Sequence, residues 1–147
     1  VKEGNGVLVY LSYPLENASS QVLFSYLPIK DAGTWERIKA EAYPEAHPVL
    51  NGVKTVEVWA HNYISFYKQP AMAQLEGWSV LLHQMIGTED RIYAMAGPMG
   101  SGRAVIIAAY PFFPEYHGAV FDNERFLVNI YQWLAGSEVP EEILPLK

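Results

Sequence analysis

The stretch Gly102–Gly136, GRAVIIAAYPFFPEYHGAVFDNERFLVNIYQWLAG, decides the reading of the fold. It opens on Arg103–Ala109, an apolar, partly β-branched run of strand length. It closes on Asn123–Ala135, where Phe126, Leu127, Ile130, Trp133 and Leu134 recur at i, i+1, i+4, i+7 and i+8. That spacing makes one continuous helical face, and Arg125, Asn129 and Gln132 are expected to point away from it. Asp122 stands at the N-cap position and Gly136 where a left-handed C-cap is expected. Between strand and helix lies an aromatic loop, Tyr110–Phe121. A buried strand that leads through a loop to a packing helix is half of an α/β unit.

Outward from this stretch, short strands recur. Gly6–Tyr13 is apolar and ends at Pro14, and a short capped helix is expected over Gln21–Tyr26. Asp31–Gly33 reads as a turn. In Trp35–Ala42, Ile38, Ala40 and Ala42 alternate with charged residues, which favours a strand with one buried face over a helix. Pro44 and Pro48 bracket a loop containing His47. Val53–Ala60 is a β-branched strand, His61–Pro70 a loop or irregular edge, and Trp78–Leu82 another strand. Arg91–Ala96 and Arg103–Ala109, joined by GPMGSG as a longer loop, read as an antiparallel hairpin. No internal repeat or low-complexity tract is visible.

The totals set limits. With 147 residues, half of them hydrophobic and 18% charged, the chain suits one globular domain. A net charge of −6, with its ten Lys and Arg scattered, argues against nucleic-acid binding. The absence of Cys removes disulfides, thiolate metal sites and a cysteine nucleophile. No run approaches the roughly 20 apolar residues of a membrane span. The compartment stays open. The start at Val1 fits a processed chain or a piece of a longer, exported or membrane-associated protein.

GRAVIIAAYPFF followed by DNERFLVNIYQWLAG resembles the last strand and last helix of class I glutamine-amidotransferase-like domains. The similarity is greatest to the non-catalytic branch that includes ThuA-like domains and the auxiliary domains of gliding-type ABC transporters. There an Asn-bearing helix ends in Trp-Leu, matched here by Asp122-Asn123, Asn129 and Trp133-Leu134. Val1–Leu11 is similar to the Gly-containing entry into a strand of that fold, and His47–Val53 to its His-Pro…Gly-Val turn. The resemblance extends loosely over Val1–Gly136. It implies an α/β, three-layer fold with a mostly parallel sheet and an antiparallel hairpin, of flavodoxin-like or class I glutamine-amidotransferase-like type. Residues 1–136 would be the C-terminal portion of such a domain, lacking its N-terminal strands, and residues 137–147 a tail.

The chemistry is sparse. A glutaminase of this family needs a Cys on a sharp strand-to-helix turn; none is present, and no Gly-x-Ser-x-Gly replaces it. His47 lacks the acidic partner of the amidotransferase dyad. His47, His61, His83 and His117 have no metal-ligand spacing, so no metal and no cofactor is expected. The GPMGSGR run lacks the Walker Lys and a following helix, so it reads as a hairpin loop and not a phosphate cradle. Two aromatic loops remain. Tyr63, Phe66, Tyr67, Tyr110, Phe112, Phe113 and Tyr116 sit at strand ends, where open α/β sheets bind ligands, and could stack on a sugar or bury against a protein. The leading expectation is therefore a non-enzymatic binding or assembly domain, with a protein partner or a second copy of the chain. The alternative is a ThuA-like hydrolase or a small-molecule, sugar-like (carbohydrate) binder, with His61, Glu115, His117 and Asp122 as its polar site.

Overall fold

A computed structural model describes residues 5–10, 29–65, 76–111 and 121–139. Seven strands are present among the described residues: β1 (Gly6–Tyr10), β2 (Ile29–Ala42), β3 (Thr55–Ile64), β4 (Ser79–Ile86), β5 (Glu89–Met99), β6 (Gly102–Ile107) and β7 (Tyr110–Pro111). One helix, α1 (Asn123–Leu134), and a 3-10 turn at Pro48–Leu50 complete the described residues.

The expected three-layer, mostly parallel α/β sheet is not what forms. β2 pairs antiparallel with β3 and β4, and β4 with β5. β5 meets β3 through Ile64 opposite Ile92, so four strands close on themselves as a small barrel. β6 extends the sheet from β5 antiparallel, and β1 adds to β6 as the one parallel pairing among the described strands. The flavodoxin-like and amidotransferase-like architecture is thereby corrected to a β-barrel-rich fold with one helix.

The connections give the physical reason. β4 reaches β5 through Gly87-Thr88, and β5 reaches β6 through Gly100-Ser101, with Gly87 at φ 62° and Gly100 at φ 60°. Two-residue links with a left-handed first residue make hairpins. A parallel neighbour needs a crossover of a dozen residues or more. The β5–β6 hairpin expected from the sequence is therefore present, but not its longer loop: pairing continues to Met99 and Gly102, leaving a two-residue link, and the hairpin continues into a meander.

Strands run further than their apolar cores suggest. β2 starts at Ile29 and absorbs the expected Asp31–Gly33 turn as a bulge, where the Gly33 N–H donates to Asp31 Oδ1 at 2.6 Å. β3 continues to Ile64, so the expected loop at His61 begins as strand. The expected helix at Gln21–Tyr26 and the tail beyond Val139 lie outside the described residues, as does the expected Leu11–Tyr13 end of the first strand.

Helix α1 lays Phe126, Ile130 and Leu134 against Val56, Val58, Val105 and Ile107 in the main core. A second cluster joins Ile64, Ile92, Met95 and Ala108 to Trp78 and Val80. The C-terminus of α1 closes as expected. Gly136, at φ 77°, donates its N–H to Trp133 O, and the Ser137 N–H donates to Gln132 O at 2.9 Å. This is a Schellman arrangement.

Two polar expectations on the helix are corrected. Asp122 makes no side-chain cap. Its Oδ2 accepts the N–H groups of Lys54 and Thr55 at 2.8 and 3.0 Å. Asn129 does not face away. It is buried, and its Nδ2 donates to the carbonyls of Val49 and Asn51 at 3.0 and 2.8 Å. Asn123, also buried, accepts the Glu57 N–H at 2.8 Å and donates to the Glu57 carbonyl at 2.7 Å.

Two stability predictions follow from these contacts. Asn123→Leu keeps the volume but leaves a buried N–H and a buried C=O of Glu57 without partners, so it should cost about 2–5 kcal/mol in urea unfolding. A loss below about 1 kcal/mol would show that these bonds carry little. Gly97 is buried under Trp78, and a Cβ there would overlap the indole. Gly97→Ala should therefore cost about 1–3 kcal/mol. Part of that loss should be recovered in the Gly97→Ala, Trp78→Ala double variant relative to the sum of the singles.

Candidate functional site

Of the sequence-expected residues, Tyr63, Tyr110, His61 and Asp122 are described, and these four do not gather at one site. Tyr63 is in β3, buried, with the Arg91 guanidinium 4.3 Å from its ring centre, so it is a core residue and not a loop aromatic. Tyr110 is half-buried in β7, opposite Trp59. Phe66, Tyr67, Phe112, Phe113 and Tyr116 lie outside the described residues, as do Glu115 and His117 of the polar alternative. His61 and Asp122, the other two members, are separated. His61 is buried towards the end of β3, its Nδ1 2.9 Å from Asp31 Oδ1. Asp122 is bonded to the start of that strand, six residues back, about 20 Å away at strand rise. Among the described residues no three His, Asp or Glu side chains are grouped as a metal would require. Nor is any helix there long and apolar enough to cross a membrane.

A different place collects functional groups. Where the β5–β6 hairpin, the 3-10 turn and the C-terminal end of α1 meet, two adjoining hollows of about 470 and 790 Å³ share His47, Arg103, Trp133 and Gly136. His47 and Arg103 are each set by a separate hydrogen bond to backbone. His47 is the N-cap of the 3-10 turn, and its Nδ1 accepts the Val49 N–H at 3.2 Å. A backbone N–H can only donate, so Nδ1 is the bare nitrogen and the proton of the neutral ring is on Nε2. The ring stands edge-on to Trp133, centroids 5.0 Å apart.

Arg103 enters β6 just after the Gly100-Ser101 turn. Its guanidinium donates from one terminal nitrogen to the Trp133 carbonyl at 2.8 Å and lies 5.1 Å from the centre of the Trp133 ring. A cation is favoured at a helix C-terminus, and its planar face suits an aromatic ring. The floor is apolar, with Ala96, Pro98 and Leu134 among its lining residues, and Gly97, Ser101 and Gly102 bring backbone to the edge.

Burial lowers the basicity of His47, the nearby Arg103 cation lowers it further, and Glu45 opposes both. At neutral pH the ring therefore stays uncharged, a donor through Nε2.

Sequence reasoning noted each of these residues for something else. In the sequence His47 reads as a dyad histidine without its acid, Trp133 as core, and Arg103 as the first residue of a strand. One signal was available: a lone cation opening an apolar strand, and an aromatic in the last turn of a helix. What joined them was tertiary placement. A comparison with protein-family models, with curated proteins and with solved structures finds no match to this chain.

The depressed His47 basicity gives a signed pH prediction. The unfolded chain takes up the proton at a higher pH than the folded one. Stability should thus be level above the ordinary histidine range and fall as the pH drops through it. His47→Asn can keep the cap, because an Asn carbonyl also accepts the turn N–H. The difference in unfolding free energy between the variant and the parent should shift in the variant's favour between pH 7.5 and 5. A difference that does not change with pH would mean that His47 is not responsible.

Proposed function

We propose that this chain is a non-catalytic binding domain whose ligand seat is the cleft formed by His47, Arg103 and Trp133. The observation that carries this reading is that three groups of different chemistry – a fixed N–H donor, a cation and an indole – converge from three elements around one hollow. Ligand sites are concave and largely apolar, with a few placed polar groups, and the hollow of about 470 Å³ falls within their usual range.

A second surface has an observation of its own. Trp35 and Trp59 stack on the outer face of the β2–β3 ribbon, with rings 6.1 Å apart and nearly parallel, and Trp59 is 39% exposed. Bidentate bonding of Arg37 to Glu57 borders it. This face suits a protein partner or a second copy of the chain, which is the assembly side of the expectation.

Amide and indole chemical shifts of the isotope-labelled chain, recorded against a library of small soluble fragments, separate the two. Binding at the cleft should move Ser101, Gly102, Arg103 and the Trp133 indole N–H. Shifts confined to Trp35 and Trp59, or none at the cleft across the library, would overturn the cleft reading.

A further inference from the structure

The cleft reading leaves the chemistry of the ligand open, and the treatment of Arg103 narrows it. Among the described residues, Arg37 is held by the carboxylate of Glu57 and Arg91 by that of Glu89. Arg103 is held differently: a carbonyl and a ring, both neutral, fix it, and among the described residues no carboxylate lies within ion-pair distance. Its charge is therefore anchored without being neutralised. A guanidinium carries five N–H donors in a planar fork, and one terminal nitrogen is used on Trp133.

The carbonyls of Gln132 and Trp133 already accept from Ser137, Gly136 and Arg103. Among the described residues the hollow beside β5 has no Asp or Glu in its lining, although the chain has 16 of them and a net charge of −6. The neighbouring acids sit outside it: Glu138 lines the outer hollow and Glu45 influences His47 from the side. A water-exposed cation stacked on an indole, a neutral His donor nearby and an apolar floor together describe a seat for one negative charge on an apolar body.

Resting on the cleft reading, we propose that the ligand is a monocarboxylate carrying a flat or apolar group, its carboxylate paired with the Arg103 fork and its apolar part laid over the Ala96, Pro98 and Leu134 floor. A carboxylate matches the fork with two parallel bonds. Phosphate also pairs with a guanidinium fork, but it has no apolar part to lay over Ala96, Pro98 and Leu134.

The experiment titrates the labelled chain with phenylacetate, with its neutral analogue phenylacetamide, and with inorganic phosphate. Phenylacetate should shift Arg103, Ser101 and the Trp133 indole N–H and bind at least tenfold more tightly than the amide; phosphate should bind more weakly than phenylacetate at the same residues. Arg103→Gln should abolish the preference for acid over amide, and Arg103→Lys should restore only part of it. Circular dichroism and the unfolding midpoint show whether either variant is folded. Should Arg103→Gln not fold, the acid-to-amide ratio of the parent chain and its decline with added salt decide alone. Equal binding of acid and amide would overturn the carboxylate proposal and leave the cleft reading standing. Preferred binding of phosphate would overturn the choice of carboxylate. If no probe, charged or neutral, moves the cleft residues, both readings fall together.

Discussion

Strand β3 has a second edge, and the structure depends on how that edge is closed. One side of β3 is paired along most of its length with β2. The other is completed piece by piece: Asp122 accepts from Lys54 and Thr55, Asn123 takes both backbone groups of Glu57, β7 pairs at Val58 and Trp59, and β5 at Ile64. Buried backbone groups must be paired, and a strand that passes from a barrel to a helix-covered face has no single neighbour to do it. Asn123 acts as one residue of a missing strand, since its amide offers the same donor and acceptor as a peptide. This fixes the start of α1 on the sheet, and the helix axis then carries its far end to Gly6 and Arg103. A Cβ on Gly6 would collide with Leu134, so the approach there is a close one.

The elements were more legible than their arrangement. The alternation in Trp35–Ala42, the hairpin at GPMGSG and the amphipathic helix with its Gly136 cap all follow from local chemistry, and all are present. The sheet direction is where the resemblance misleads, although the sequence itself holds contrary evidence. Trp78–Leu82, Arg91–Ala96 and Arg103–Ala109 are too close in sequence for helices to lie between them, and strands that follow so directly turn back on themselves. A likeness at the helix end suggested a fold in which every strand is followed by a helix. Here the one described α-helix comes after seven strands.

The polar residues show where periodicity stops informing. Asn129 falls on what a helical wheel calls the outer face, and it is buried because it bonds the backbone of a segment about 80 residues away. Asp122 looks like a cap and bonds the start of β3 instead. Side chains of this kind satisfy groups that a one-dimensional pattern does not contain. The same holds for Tyr63 and His61, expected in a loop and found in a strand, because β3 is prolonged by pairing with β2 and not by its own apolar content.

The cleft follows from the same polar devices. Asn129 ties α1 to the carbonyls of Val49 and Asn51, the segment that carries His47, and so sets the spacing between His47 and Trp133. Arg103 is pinned to the same helix by the Trp133 carbonyl. His47 and Arg103 are thus held through hydrogen bonds to backbone, which are directional, and not through apolar packing alone, which is not. Side chains immobilised in this way lose little freedom when a ligand arrives, and preorganisation of that kind raises affinity without adding contacts. The buried asparagines that stitch the helix to the sheet are, by the same bonds, what gives the cleft a fixed shape.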